Sequence, residues 1–203
     1  KAPTLIIGLF VTSLVLFTNG LVPSVQAAPQ DPTTFTILHT NDFHGQLEWR
    51  SGGSTSNPGS ARVAQVVNNV RTAVGTESVL LLDAGDEMRG SLLSNLLQGQ
   101  PTIAVYNAMG YNAATFGNHE FAWGQSVLAS RTAEAAYPYL TANIVVNDTG
   151  DCATSGWTTP AFAAAPYQIF TAGTAPNAIS VAVSGVTTPE TVYTTLASAT
   201  SGL

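Results

Sequence analysis

The sequence predicts an α/β fold in which short strands alternate with helices. Three observations indicate this fold. Short β-prone runs alternate with segments of helical periodicity, one of these runs is apolar at every position, and a polar cluster follows each of the first three runs. A fully apolar strand is typical of a parallel sheet that is buried on both faces. A length of 203 residues is sufficient for one domain with its own core.

The elements follow in order along the chain. After a first strand, a Gly/Ser/Asn/Pro-rich loop over residues 50–60 leads to a helix that carries valines at helical spacing over residues 63–74. The later helices are marked by an early proline, by a following glycine or by helical spacing. Strands are predicted over residues 34–39, 78–82, 113–116 and 140–145, helices over 101–109 and 125–136, and a hairpin over 167–171 and 178–183.

Composition excludes two classes of protein. Twelve acidic and six basic side chains give a net charge of −6, and only 9% of the residues are charged. With so few basic residues, none of them clustered, the chain has no surface that neutralises a run of phosphates, which excludes a nucleic-acid-binding protein. Cys152 is the only cysteine, so a disulfide scaffold is also excluded. Either this thiol is free in its loop or its partner lies on chain outside this sequence.

The N-terminus has the pattern of a secretory signal peptide over residues 1–27. Lys1 precedes a thirteen-residue apolar run, Leu5–Phe17, and small residues lead to a cleavage site after Ala27 or Ala28. The alternative is a membrane anchor, but the run is shorter than the roughly 20 apolar residues that span a bilayer. We therefore expect an exported protein (periplasmic, extracellular or at the cell surface) with no stable membrane span after cleavage.

Polar clusters follow the first three strands, where open α/β sheets bind ligands. They are Asn41–His44, Asp83–Asp86 and Gly117–Glu120. Asp42 and His44 are two residues apart, so in an extended chain both side chains point to one side and suit a divalent cation such as Mn²⁺, Zn²⁺ or Fe²⁺. The Asp86 carboxylate has two oxygens and is able to bridge two cations, and Asn118 offers a neutral amide oxygen. The sequence therefore predicts a metal site at this edge of the sheet.

These motifs resemble those of a known family. Asp42-x-His44, Gly85-Asp86 and Gly117-Asn118-His119-Glu120 are similar to the first three blocks of the calcineurin-like metallophosphoesterases. The fuller strings over residues 37–45, 83–91, 117–121, 142–144 and 185–190 resemble the secreted bacterial 5′-nucleotidase/UDP-sugar hydrolase/2′,3′-cyclic phosphodiesterase group. The resemblance covers residues 35–191. It implies a metallophosphoesterase-type α/β/β/α sandwich, truncated after its first half, over residues 28–203, without a C-terminal nucleotide-binding domain.

The resemblance also implies a chemistry. Two divalent ions (Mn, Zn, Fe, Mg or Ca) would activate water for attack on a small phosphoester, with a nucleotide as the expected substrate. Asp42 and His44 would hold the first ion, Asp86 would bridge, and Asn118 would bind the second. His119 would be catalytic rather than a ligand, stabilising charge on the phosphate or protonating the leaving alkoxide.

This sequence departs from the family pattern at two points. A carboxylate usually follows Asn-His-Glu-Phe and orients the histidine, but Ala122 stands there, so we expect His119 to lack that partner and activity to be slower or to have a more acidic optimum. The family also uses further histidine ligands, whereas the three histidines here are His39, His44 and His119. We therefore expect a piece of a longer enzyme that is inactive by itself.

Other polar residues near the motifs have simpler interpretations. His39 alternates away from the ligands and is expected to be structural. Arg89 is expected to be a solvated surface residue rather than a phosphate ligand, and Glu120 is expected to support its loop. Asp83 is either a hydrogen-bond acceptor behind a ligand or a turn former.

Two alternative functions stay open at this point. A thiosulfohydrolase of the sulfur-oxidation branch would share the fold and the motifs. A non-catalytic, exported metal-binding remnant is the alternative from a different class, and Ala122 and the missing histidines favour it.

Overall fold

A computed structural model describes residues 34–51, 57–146, 158–163 and 165–203. The predicted signal peptide and Cys152 lie outside the described residues. The strands β1 (Thr36–Thr40), β2 (Val79–Asp83) and β3 (Ala113–Ala114) form a parallel sheet in that order. The register pairs Thr40 with Asp83 and Asp83 with Ala114, so the three strands end at one edge.

Helices connect the strands and carry the core. They are α1 (Gly59–Val74), α2 (Leu92–Leu96), α3 (Gln100–Met109), α4 (Gln125–Glu134) and α5 (Thr191–Thr194), with 3₁₀ turns over Thr76–Ser78, His119–Trp123 and Ala197–Ala199. The core beside β2 contains aromatic side chains in contact with one another, since the rings of Tyr106 and Tyr111 stack at 4.0 Å and those of Phe116 and Tyr139 at 5.0 Å. The apolar strand is buried as predicted, with Leu80 and Leu81 at most 2% exposed.

The second half of the described chain contains an antiparallel hairpin, as predicted, formed by β4 (Tyr167–Ala172) and β5 (Ile179–Ser184). Part of β5 and the residues after it line a groove of about 300 Å³ together with His39 of β1 and parts of β2 and β3. His39 itself is exposed on β1. No helix within the described ranges is long and apolar enough to cross a membrane.

One sequence prediction about secondary structure is wrong, and one helix was not predicted. The segment 140–145 is not a strand, because its main chain changes neighbours. Leu140 N–H donates to Ala114 O, whereas Thr141 N–H donates to Ala165 O, and only isolated bridges result. The segment 92–96 is a helix that the sequence analysis missed. Its N-cap is Ser91, whose Oγ accepts a hydrogen bond from Ser94 N–H at 3.3 Å.

Asp83 connects the end of the sheet to the core. Its carboxylate accepts hydrogen bonds from Thr40 Oγ1 at 2.5 Å, from Tyr106 OH at 3.0 Å and from Gly85 N–H at 2.8 Å. It is therefore both a turn former and a buried acceptor. Burial raises the pKa of Asp83 to about 6, and the hydrogen bonds to its carboxylate oppose that rise.

The Tyr106→Phe variant tests this network. Folding raises the pKa of Asp83 from 3.8 to about 6. The free energy of unfolding therefore falls as the pH rises through that interval, because the folded state binds the proton more tightly than the unfolded state does. Tyr106 OH favours the ionised form, so its removal should cost about 1.5–3 kcal/mol at a pH of about 8 and clearly less at a pH of about 4.5. Denaturant unfolding at both pH values measures the difference.

The matched control is Tyr193→Phe, since Tyr193 is 87% exposed. It should change the free energy of unfolding by less than about 0.5 kcal/mol at either pH. Equal losses for Tyr106→Phe at the two pH values would contradict a special role of the hydroxyl for the ionised Asp83.

Candidate metal centre

Three loops at the carboxyl ends of the parallel strands contain all the predicted site residues. Residues 41–45 follow β1, residues 84–91 follow β2, and residues 115–124 follow β3 and include a 3₁₀ turn. The strand register brings the three loops to the same edge of the sheet. This arrangement agrees with the general position of ligand sites in open α/β sheets.

Main-chain hydrogen bonds join the first loop to the second. Asp42 N–H donates to Gly85 O at 3.0 Å, His44 N–H donates to Asp86 O at 2.9 Å, and Gly45 N–H donates to the next carbonyl of the second loop at 2.7 Å. The parallel pairing of β1 and β2 thus continues beyond the strands. As a result, the positions of Asp42 and His44 relative to Asp86 are set by the main chain.

Glu120 joins the second loop to the third. Its Oε2 accepts hydrogen bonds from Asp86 N–H at 2.8 Å and from Gly117 N–H at 2.7 Å, and its Oε1 accepts a longer one from Met88 N–H at 3.4 Å. Glu120 is 1% exposed. It supports the loops, as the sequence analysis expected.

Asp86 lies directly on the main chain of the third loop. Its Oδ1 accepts a hydrogen bond from His119 N–H at 2.8 Å. A side chain at Gly117 would collide with this carboxylate, and a side chain at Gly85 would collide with the main chain of Gly117. Both glycines of the predicted motifs are therefore required by close approach.

The predicted ligands have unusual main-chain conformations. The φ angles are 52° for Asp42, 52° for His44 and 60° for Asp86, in the left-handed region. The segment from Asp42 to His44 is therefore not extended, and the reason given in the sequence analysis for their shared orientation is wrong. The two side chains nevertheless meet, with His44 Nε2 3.6 Å from Asp42 Oδ1.

His44, Asp86 and His119 form a cluster of potential metal ligands. One ligand atom from each residue lies within 4.8 Å of the others. Asp42 is beside His44 rather than a member of this cluster, and its Oδ2 accepts a hydrogen bond from Asn41 Nδ2 at 2.6 Å. Asn118 is placed in the third loop immediately before His119, and its amide does not cap the 3₁₀ turn that follows.

The donor set fits divalent cations. Carboxylate oxygens and an imidazole nitrogen are ligands that suit Mn²⁺, Zn²⁺ and Fe²⁺. Behind them lie the buried carboxyls of Asp83, Glu87 and Glu120, and none of these takes part in an ion pair within the described part of the chain. A cation at the loop edge would add positive charge near these unpaired carboxyls.

Burial shifts the titration of the two acids nearest the ligands. It raises the pKa of Glu120 to about 7, with a further increase from the negative charge of Asp86, and the main-chain N–H donors oppose this. Burial also raises the pKa of Glu87, as do the charges of Glu120 and Asp83. Glu87 accepts a hydrogen bond from Tyr139 OH on Oε1, and its Oε2 has no partner among the described residues.

Arg89 has a role that the sequence analysis missed. Its side chain is exposed, as expected, but its Nη1 lies 3.0 Å from His119 Nδ1. His119 therefore has a hydrogen-bond partner in spite of Ala122, and this partner is a cation rather than a carboxylate. The position of Arg89, three residues after Asp86 in the same loop, was the available signal.

Comparisons with known proteins give relatives by sequence and by structure. The silent protein UshA(0) of Salmonella typhimurium is 37% identical over 169 residues, which cover 82% of this chain and 28% of that protein. The 5′-nucleotidase of Bos taurus is 35% identical over 170 residues, which cover 80% of this chain and 28% of the relative. This chain thus spans little more than a quarter of the length of these relatives. No family model matches the sequence.

The fold has a similar solved structure. The calcineurin-like phosphoesterase YfkN of Bacillus subtilis superposes with a TM-score of 0.61 at 26% identity, over 78% of this chain and 50% of that one. This chain therefore matches only part of each of these proteins. The chain belongs to the calcineurin-like metallophosphoesterases, in the group that includes the UshA proteins and the 5′-nucleotidases.

Proposed function

We propose that the protein is a metal-dependent phosphoester hydrolase of the 5′-nucleotidase type, acting on nucleotides or related phosphoesters. Its relatives include a protein named 5′-nucleotidase at 35% identity. His44 and Asp86, which lie close together at the loop edge, supply donors for a divalent cation. Family and donor chemistry therefore support the same activity.

The main-chain strain of the ligands is the observation that carries this proposal. Four non-glycine residues in the described part of the chain have positive φ, and three of them are Asp42, His44 and Asp86. Such conformations cost on the order of 1–3 kcal/mol each and are concentrated at active sites. Glycine would adopt them without this cost. Aspartate and histidine at these positions thus support a requirement for their side chains.

We assign the ligand roles as the family resemblance implies them. Asp42 and His44 would hold a first ion, because His44 Nε2 and Asp42 Oδ1 face each other at 3.6 Å. Asp86 would contact both ions, and Asn118 would hold the second. Two divalent ions in this site would offset charge on the phosphoryl oxygens and lower the pKa of a bound water.

The other residues of the site position these groups. Asp86 accepts the N–H of His119 and so fixes the third loop against the second. Glu120 joins the second and third loops, because its carboxylate accepts hydrogen bonds from Asp86 N–H and Gly117 N–H. His119, whose ring centroid is 5.0 Å from that of His44, is then close enough to the ligands to donate a hydrogen bond to a phosphate oxygen.

The cellular location is also a proposal. The N-terminal pattern of Lys1, the apolar run and Ala27 supports cleavage of residues 1–27 and export. The small number of basic residues supports a small-molecule substrate rather than a nucleic acid. We propose a nucleotide or another soluble phosphoester as that substrate.

The proposed function predicts that this chain binds a divalent metal ion. The His44→Ala and Asp86→Asn variants should each lower the affinity for Mn²⁺ or Zn²⁺ at least about 10-fold, because each removes a proposed ligand. Calorimetric titration measures the affinity. The control His39→Ala removes an exposed imidazole of β1 and should leave the affinity unchanged. Unchanged binding by His44→Ala, or an equal loss in the control, would refute the ligand assignment.

The proposed function also predicts phosphate release, which is measured on the protein at its full length, since this chain spans 28% of its relatives. With Mn²⁺, a panel of nucleoside monophosphates, UDP-sugars and cyclic nucleotides should yield phosphate or a phosphomonoester product. A chelator should abolish the reaction. His119→Ala should lower kcat by about 10²–10³, the usual cost of one lost hydrogen-bond donor to the transition state.

The alternative functions give different results in the same assay. A thiosulfohydrolase would leave the phosphoesters intact and hydrolyse a thiosulfonate-linked substrate. A non-catalytic remnant would bind metal and turn over neither class. Either result would overturn the proposed activity.

A further inference from the structure

Arg89 contacts both histidines of the metal centre through different groups. Its main-chain carbonyl lies 2.8 Å from His44 Nδ1. Its guanidinium Nη1 lies 3.0 Å from His119 Nδ1. The two rings are neighbours, with centroids 5.0 Å apart and planes at 86°. Arg89 thus contacts the Nδ1 atom of two adjacent imidazoles.

The two contacts have opposite hydrogen-bond polarity. A carbonyl oxygen only accepts, so His44 carries a proton on Nδ1 and, in the neutral ring, keeps the lone pair on Nε2. A guanidinium only donates and stays charged, so His119 must accept at Nδ1, and its proton is on Nε2. Geometry alone does not separate the two rings, since both belong to the cluster whose ligand atoms lie within 4.8 Å.

We propose that Arg89 is a positioning residue that gives His44 and His119 opposite tautomers. His44 then presents a lone pair at Nε2, 3.6 Å from Asp42 Oδ1, and is the metal ligand. His119 presents an N–H at Nε2 and is excluded from metal coordination. The consequence that this N–H meets a substrate phosphate rests on the proposed function, whereas the tautomers themselves do not.

The loop around Arg89 is built to hold this arrangement. Ser91 N–H donates to His44 O at 2.8 Å, and a side chain at Gly90 would collide with the main chain of His44. Gly90 N–H donates to Asn95 Oδ1 at 3.0 Å, and Asn95 Nδ2 donates to Gly90 O at 3.2 Å. The Arg89 carbonyl is therefore held at His44 by its neighbours, independently of the Arg89 side chain.

This independence permits a sharp test by NMR of the full chain with ¹⁵N-labelled histidine. The sequence has three histidines, so the His39→Gln and His44→Gln variants together assign all three rings. At a pH of about 8.5, above the ordinary imidazole pKa of about 6.5, long-range ¹H–¹⁵N correlations report which nitrogen carries the proton. The wild type should show His44 protonated on Nδ1 and His119 protonated on Nε2.

Variants of Arg89 separate the two contacts. Arg89→Met should convert His119 from one tautomer to a mixture while leaving His44 unchanged, because the partner of His44 is a main-chain carbonyl. Arg89→Lys keeps a cationic donor and should retain at least part of the His119 preference. Arg62→Met, on the exposed side of α1, is the matched control and should change neither ring.

Zinc addition gives a second readout. In the wild type, Zn²⁺ should shift the ring signals of His44 much more than those of His119. In Arg89→Met, Zn²⁺ should also shift the ring signals of His119, because Nδ1 no longer accepts a hydrogen bond that keeps the proton on Nε2. The proposal is overturned if wild-type His119 is protonated on Nδ1, if Arg89→Met and Arg89→Lys both leave its tautomer unchanged, or if Zn²⁺ binds His119 in the wild type. Lack of nucleotidase activity would refute the proposed function but not the tautomer assignment.

Discussion

The candidate metal centre depends on main-chain pairing that continues past the ends of β1 and β2. Hydrogen bonds from the amides of Asp42 and His44 to the carbonyls of Gly85 and Asp86 join the first two loops as the strands themselves are joined. Side chains that hold a cation must be placed more accurately than free loops allow, and the sheet supplies this accuracy. The positive φ angles of the proposed ligands are a local conformational cost at this edge.

Buried carboxyls beneath the loops add a second constraint. Glu120 holds two loops through their N–H groups, and Asp83 holds the end of β2 against the aromatic core. Burial raises the pKa of both acids towards neutrality. Burying these two carboxyls therefore lowers the stability of the fold, although their hydrogen bonds keep the loops in place. A cation bound next to them would reduce that loss.

Arg89 connects this scaffold to the chemistry. The carboxylate that the family resemblance led us to expect after Phe121 is replaced by Ala122, yet the His119 ring has a partner at Nδ1. Exchanging a carboxylate for a guanidinium reverses the polarity of that hydrogen bond. In the tautomer that we propose, the His119 ring donates from Nε2, and the side chain of one arginine fixes that tautomer.

The elements that a local sequence signal marks could be predicted from the sequence alone. The valine spacing of α1, the apolar strand β2 and the three motifs after the strands were all readable, because periodicity and short motifs are properties of contiguous residues. The segment 140–145 and the partner of His119 were not readable. Which neighbour a strand-like segment pairs with, and which side chain reaches a ring 30 residues away, depend on contacts between distant parts of the chain. Those contacts exist only after the strands have aligned, so only the tertiary structure decided them.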